Sequence, residues 1–229
     1  MPSNHHTDPV FKPKKVPKNP IKFNISLNEE QKESKEKIIR SDVSVIRGKA
    51  GSGKSLLAAQ VALDLLFKKE VEKIIIARPA ITAGEQIGFL PGTKEEKMAP
   101  FTAPVYDNMF RLCGKEKIEK LVTEGSIEII PVGFLRGFNF TNCVVIVDEA
   151  QNCSETQLEL ILGRLCLGSK IIICGDSAQI DLRNKKDSGF DFVCKHMKDI
   201  PGFTIINLLT NHRHPIVDPV LSVFEQYRS

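Results

Sequence analysis

Residues 48–55 read GKAGSGKS, a G-x-x-x-x-G-K-[ST] spacing in which each part has a use at a phosphate. Gly48, Gly51 and Gly53 let the backbone turn tightly, so that successive N–H groups, through Lys49, Ala50 and Ser52, point inward at anionic oxygens. Lys54 is placed to reach the β- and γ-phosphates, and the Ser55 hydroxyl to ligate magnesium. An apolar run, VSVIR (43–47), enters this turn and SLLAAQVALDLLFKK leaves it. Strand before and helix after is the context that separates a phosphate-binding loop from a chance glycine-rich turn.

Two further runs end in matching chemistry. VVIVDEAQN (144–152) delivers Asp148 to the end of an apolar stretch, where a carboxylate suits Mg2+, and Glu149 one residue later suits polarising a water against the γ-phosphate. IIICGDSAQIDL (171–182) brings Asp176 and Gln179 to the corresponding edge, and Gln179 suits a hydrogen bond to the attacking water or to the γ-phosphate. Near the end of the chain, LLTNHRHPIVDP (208–219) sets Arg213 between His212 and His214. A His-x-His pair without further ligands nearby is a poor zinc site. A planar guanidinium that is always charged suits the phosphate charge of a transition state. ATP and Mg2+ are therefore the expected cofactors, and hydrolysis the expected reaction, because Asp148–Glu149 provides a base for water.

These residues need a scaffold that brings strand ends to one edge. VSVIR, KIIIARP (73–79), SIEIIPV (126–132), CVVIVDE (143–149), SKIIICGD (169–176) and FTIINL (203–208) have the Ile/Val content of buried strands. Helix-like stretches lie between most of them: APVYDNMFRLCG with KEKIEKLVTEG, SETQLELILGRL, SGFDFVCKHMKDI, and PIVDPVLSVFEQY last. Alternation at this spacing predicts an α/β fold, one domain with a mostly parallel central sheet flanked by helices. Ser26 or Asn28 is placed to cap a first helix through EEQKESKEKII. Residues 79–101 carry prolines and glycines without a clean period and read as a functional loop.

Composition sets limits. The 229 residues suit one good-sized domain, predicted over 25–229, and the net charge of +4 permits an anionic partner without demanding one. Residues 1–24 read as a basic, flexible arm, whose Lys12, Lys14, Lys15, Lys18 and Lys22 suit nucleic-acid phosphates or a solvated tail. No run is long and apolar enough to span a bilayer, so no membrane partner is expected. The start lacks a secretory apolar core, and the scattered cysteines read as buried reduced thiols, which together point to a cytoplasmic protein.

GKAGSGKS, ARPAITAGEQIGFLPGTKEEKMAPFTAPVYD, VDEAQNCSETQLELILGRL, ICGDSAQIDL and NHRHPIV together resemble the PhoH-like ATPases, over about Gln31 to Tyr227. The resemblance implies a RecA-like P-loop NTPase domain related to the ATPase core of superfamily 1 helicases. It assigns Gln31 to the adenine edge and matches Arg78 and Glu85 to the family's RP…GE positions, with Arg78 a candidate contact to phosphate of nucleotide or nucleic acid. Arg213 matches the arginine of an RHPLV-like motif. Where relatives typically show MRGRT this chain has FLRGFNF (134–140), which keeps Arg136 as a candidate contact but replaces the second Arg and the Thr by Phe138 and Asn139. A short, diverged single-domain member fits a phage-encoded version.

The resemblance also implies partners: RNA or single-stranded DNA, and further copies of the chain. Too few residues follow Gln179 to form a second RecA-like domain, so the site is completed by the C-terminal segment or by a neighbour in a ring-like homo-oligomer such as a hexamer, with Arg213 acting in trans. Two other functions compete: a nucleotide-switched binding module with incidental turnover, and a small-molecule P-loop kinase.

Overall fold

The computed structural model describes residues 22–79, 94–182 and 184–227. The expected basic arm, apart from residues 22–24, and the segment 80–93 with Glu85 lie outside the described residues.

All six expected strands form: β1 (Val43–Gly48), β2 (Lys73–Arg78), β3 (Ile127–Pro131), β4 (Cys143–Val147), β5 (Lys170–Gly175) and β6 (Phe203–Leu208). They make one sheet in the order β3-β2-β4-β5-β1-β6, with every neighbouring pair parallel. Side chains alternate between the faces as strand geometry requires. Ile46, Ile74, Ile76, Val144, Ile146 and Ile172 pack on one side. Val45, Ile75, Val145, Val147, Ile171 and Ile173 pack on the other. Both faces are buried, which is why the strands read as continuous apolar runs rather than alternating ones.

The first face is covered by α1 (Glu29–Arg40), α2 (Lys54–Phe67), α3 (Lys94–Cys113) and α4 (Lys115–Thr123), through Ile38, Leu57, Leu63, Met109, Leu112 and Ile118. The second is covered by α5 (Glu155–Leu162) and α6 (Gly189–His196), through Leu158, Ile161, Phe190 and Val193. A final helix, α7 (Val217–Gln226), follows β6 and leaves Val220, Leu221, Val223 and Phe224 exposed. Asn28, not Ser26, caps α1: its side chain accepts from Gln31 N while Asn28 N donates to Gln31 Oε1. Ser154 and Gln157 make the same reciprocal pair at α5, and each such cap is worth about 1 kcal/mol.

The sequence reading misplaced one boundary. Residues 79–101 were expected to be an irregular loop, yet α3 already begins at Lys94. Prolines and glycines punctuate 79–101 without a clean period, and Pro100 removes a backbone donor inside the helix. The strong helix formers of KEEK at 94–97 carry the helix through regardless. The cysteines are free, with Cys143, Cys153, Cys174 and Cys194 buried. Burial pushes the Cys153 thiol up to about 12 and Cys194 to about 11, so neither is a ready nucleophile. No helix among the described residues is long and apolar enough to cross a membrane.

Candidate nucleotide-binding site

Because every strand of the sheet runs the same way, all the carboxyl ends share one edge, the place where such sheets hold ligands. A cleft of 620 Å³ opens there. The loop after β1 forms its floor, and Gly51 and Gly53 adopt left-handed backbone (φ +89° and +85°) that a side chain would strain. Lys54 opens α2, and its Nζ donates to Gly48 O at 2.7 Å and Lys49 O at 3.1 Å, so the cation lies along the loop that cradles it.

Ser55 Oγ donates to Asp148 Oδ1 at 2.7 Å. The two residues come from α2 and from the end of β4, and they meet as expected. A hydroxyl beside a carboxylate at a helix start is a hard oxygen donor set, which fits Mg2+ and not a softer metal. Ser55 and Asp148 are the residues that would hold the ion, which would neutralise phosphate charge when bound. Arg78, at the end of the neighbouring β2, places Nε 3.5 Å from Asp148 Oδ2 and an amino nitrogen 3.8 Å from Glu149 Oε1. It is largely buried behind the two carboxylates, with a side chain 17 % exposed. Arg78 thus lies beside both acids at the cleft edge of the sheet.

Glu149 adopts left-handed backbone at φ +54° and ψ +40°. For a non-glycine residue that costs about 1–3 kcal/mol, and such strain concentrates at functional sites. Gln151 holds the strained turn. It is 1 % exposed, donates from Nε2 to Glu149 Oε2 at 2.7 Å and to Gln179 O at 3.1 Å, and accepts from Asp176 N at 3.2 Å. Asp176 Oδ2 accepts from Gln179 Nε2 at 2.6 Å and from Ala50 N at 3.1 Å. A continuous hydrogen-bonded chain therefore runs from the Glu149 carboxylate to the phosphate-binding loop. Asn152 adds a second clasp, accepting from Asp181 N at 2.7 Å.

Sequence reasoning passed over Gln151, although one signal was available. A glutamine four residues past the end of a buried strand, Val147 here, has both a donor and an acceptor to satisfy, and burial obliges it to find partners. Gln151→Leu keeps the shape and removes these bonds. Turnover should fall about 10- to 100-fold, the equivalent of losing a hydrogen bond to a charged group worth roughly 1.5–3 kcal/mol. Nucleotide affinity should stay near wild type. Steady-state kinetics beside equilibrium binding checks this, and unchanged turnover would leave Gln151 a purely structural residue.

Arg213 enters from the segment after β6 and crosses the phosphate-binding loop of its own chain. A Cβ added at Gly51 would stand 2.5 Å from Arg213 Cγ and 2.9 Å from Nε, so position 51 must be bare both for its φ and for this overpass. Glu30 anchors the approach by accepting from Leu209 N at 2.7 Å and Thr210 N at 3.2 Å. The bond from Leu209, with the lesser help of Thr210 and His212, holds the Glu30 carboxyl below its ordinary pKa. Gln31, expected on an exposed helix unless it reads the base, is 4 % exposed and lines the cleft. Arg136 is exposed on the β3–β4 connection and is not among the residues lining the cleft, so the structure separates it from the others. Ile25, Asn28, Leu56, Asn108 and Arg111 also line the cleft, and Arg111 is a lining residue that the sequence motifs do not mark.

Sheet order and cleft together define a RecA-like, nucleotide-binding P-loop NTPase. The sequence model of the family described as PhoH-like protein matches residues 25–225, and the chain belongs to that family. It is 41 % identical over 191 residues to the PhoH-like protein of Synechocystis, covering 82 % of this chain and 58 % of the relative. It is 39 % identical over 189 residues to the PhoH-like protein of Bacillus subtilis, covering 82 % and 59 %. The chain thus spans less than two thirds of the length of these relatives. Among solved structures, the UvsW helicase of bacteriophage T4 aligns with a TM-score of 0.49 at 16 % identity, over 80 % of this chain and 60 % of that one. The Candida albicans Pif1 helicase aligns at 0.48 and 18 %, over 90 % and 44 %.

Proposed function

We propose that the chain is a Mg2+-dependent ATP hydrolase that works as a cytoplasmic homo-oligomer coupled to RNA or single-stranded DNA. One observation carries the hydrolytic part: Lys54, Ser55, Asp148, Glu149, Gln179 and Arg213, from four separate segments of sequence, converge on a single cleft. Lys54 and the loop amides hold the triphosphate, and Ser55 with Asp148 holds the cation. Glu149 takes the proton of the attacking water, Gln179 orients that water, and Arg213 meets the charge that develops on the γ-phosphate. A base poised for water favours hydrolysis over transfer to a small-molecule acceptor.

Nucleic acid is supported by the basic arm ahead of the domain, here proposed as residues 1–24, and by Arg136 exposed beside Phe134 and Phe138, which are 66 % and 38 % exposed. Exposed aromatics beside a cation suit stacked bases. Self-assembly is supported by the exposed apolar row of α7. Phosphate release from Mg·ATP with no added acceptor tests the core of this reading. Single-stranded RNA or DNA should raise the rate several-fold at low salt, and added salt should erode that gain. Turnover that requires a small-molecule acceptor would overturn the hydrolase; a rate indifferent to both nucleic acids would remove the coupling.

A further inference from the structure

His212 stands between the glycine loop and the start of α1, where Gln31, matched by the resemblance to the adenine edge, lines the cleft. Its main-chain N–H donates to Gly51 O at 3.0 Å, which fixes the residue to the phosphate-binding loop. Its ring Nε2 faces Asn28 Nδ2 at 3.4 Å and Gln31 Nε2 at 3.5 Å, at the start of α1. Two amide donors facing one ring nitrogen make that nitrogen an acceptor and put the ring proton on Nδ1. A Cβ at Gly53 would lie 2.8 Å from Gln31 Nε2 and 3.7 Å from His212 Cδ2, so all three meet at the mouth of α2. The next residue is Arg213, and its N–H is held by Asn211 Oδ1 at 2.9 Å. With Glu30 gripping Leu209 and Thr210, residues 209–213 form a short strap anchored to α1 on one side and to Gly51 on the other.

The orientation of the Gln31 amide has a consequence for the base. Gln31 Oε1 accepts from Asn28 N at 3.2 Å, and Nε2 points at the His212 ring. Each atom keeps one capacity to spare: Oε1 can accept once more and Nε2 has a second hydrogen. An adenine edge, with a ring acceptor beside an amino donor, is satisfied by the amide as it stands. At the matching N7/O6 edge, where adenine has N7 and its amino group, guanine offers two acceptors, so Oε1 would face another oxygen. Turning the amide over to suit guanine would set Oε1 against the His212 acceptor nitrogen and break the bond from Asn28 N. We propose that His212 is a positioning residue that couples base identity to Arg213, so that an adenine base keeps the strap and the arginine in place for hydrolysis and a guanine base does not. This rests on the hydrolase reading above.

The test uses the full chain, with kcat and KM for ATP and GTP and calorimetric affinities for ADP and GDP. His212→Ala removes the acceptor at an exposed position, and Gln31→Glu keeps an oxygen for Asn28 N while removing the donor to the ring. Wild type should favour ATP over GTP in kcat/KM, and His212→Ala should lower kcat for ATP about tenfold while ADP affinity changes by less than about threefold. The GTP rate should stay near wild type, so the preference collapses. The double variant should be no slower on ATP than the slower single variant, since both break one link. His212→Gln, which can present a carbonyl acceptor, should recover part of the rate. An unchanged kcat for His212→Ala, an equal fall for ATP and GTP, or additive effects in the double variant would overturn the coupling. A wild-type chain that hydrolyses no nucleoside triphosphate would instead overturn the hydrolase reading itself.

Discussion

Glu149→Gln is expected to bind ATP with near wild-type affinity and to release phosphate about 10²–10⁴ times more slowly, the range that a general base contributes. The substitution is close to isosteric, so what it removes is the capacity to take a proton. The amide oxygen can still accept from Gln151 Nε2, which now bonds Glu149 Oε2 at 2.7 Å, and the left-handed backbone at 149 is no worse for glutamine than for glutamate. The loss should therefore lie in kcat. Single-turnover phosphate release, set beside equilibrium binding of ATP, separates the two quantities. Wild-type turnover in this variant would remove Glu149 from the chemistry and leave Asp148 and its cation to activate water.

Arg213→Ala should lower turnover by about 10³-fold or more while leaving ADP affinity within a small factor, because an arginine at the γ-phosphate acts on charge that appears in the transition state. The aliphatic stem already lies over Gly51 of the same chain, which supports action within its own cleft rather than in a neighbour's. Mixing Arg213→Ala with Glu149→Gln distinguishes these. Each variant lacks one group, and subunits that complete one another's sites would regain activity when mixed. No recovery is expected. Substantial recovery would put the arginine in a partner's cleft, and an undiminished rate for Arg213→Ala alone would send the search to Arg136.

Much of the fold was legible because parallel strands buried on both faces carry continuous Ile and Val, as in KIIIAR and KIIICG. Asp148, Glu149 and Gln179 were legible for a related reason: an apolar run that stops at a polar residue marks a strand end, and in a parallel sheet the strand ends converge. The start of α3 was not, since Pro100 and the aperiodic residues before it weigh locally against a helix that begins at Lys94. Gln31 shows the limit more sharply. Its place in a capping box follows from spacing to Asn28, whereas its contact with the His212 ring joins residues 181 positions apart. Gln151 was hidden in the same way, because besides Glu149 its partners, Asp176 and Gln179, arrive from the loop after β5.

The position of β1 has a consequence for how the chain is made. This strand carries the phosphate-binding loop and is synthesised first, yet its two neighbours are β5 and β6, paired through Val43↔Ile171 and Val43↔Phe203. Until the ribosome has passed residue 208, β1 has at least one open edge, and the loop lacks the segment that carries Arg213. Non-local pairing of this kind is slow and leaves exposed edges while it waits. A nascent chain can therefore hold the whole glycine loop and both acids while β1 still waits for β6 and for the segment that carries Arg213. On the hydrolase reading proposed above, the order of synthesis delays completion of the site until the last strand has paired.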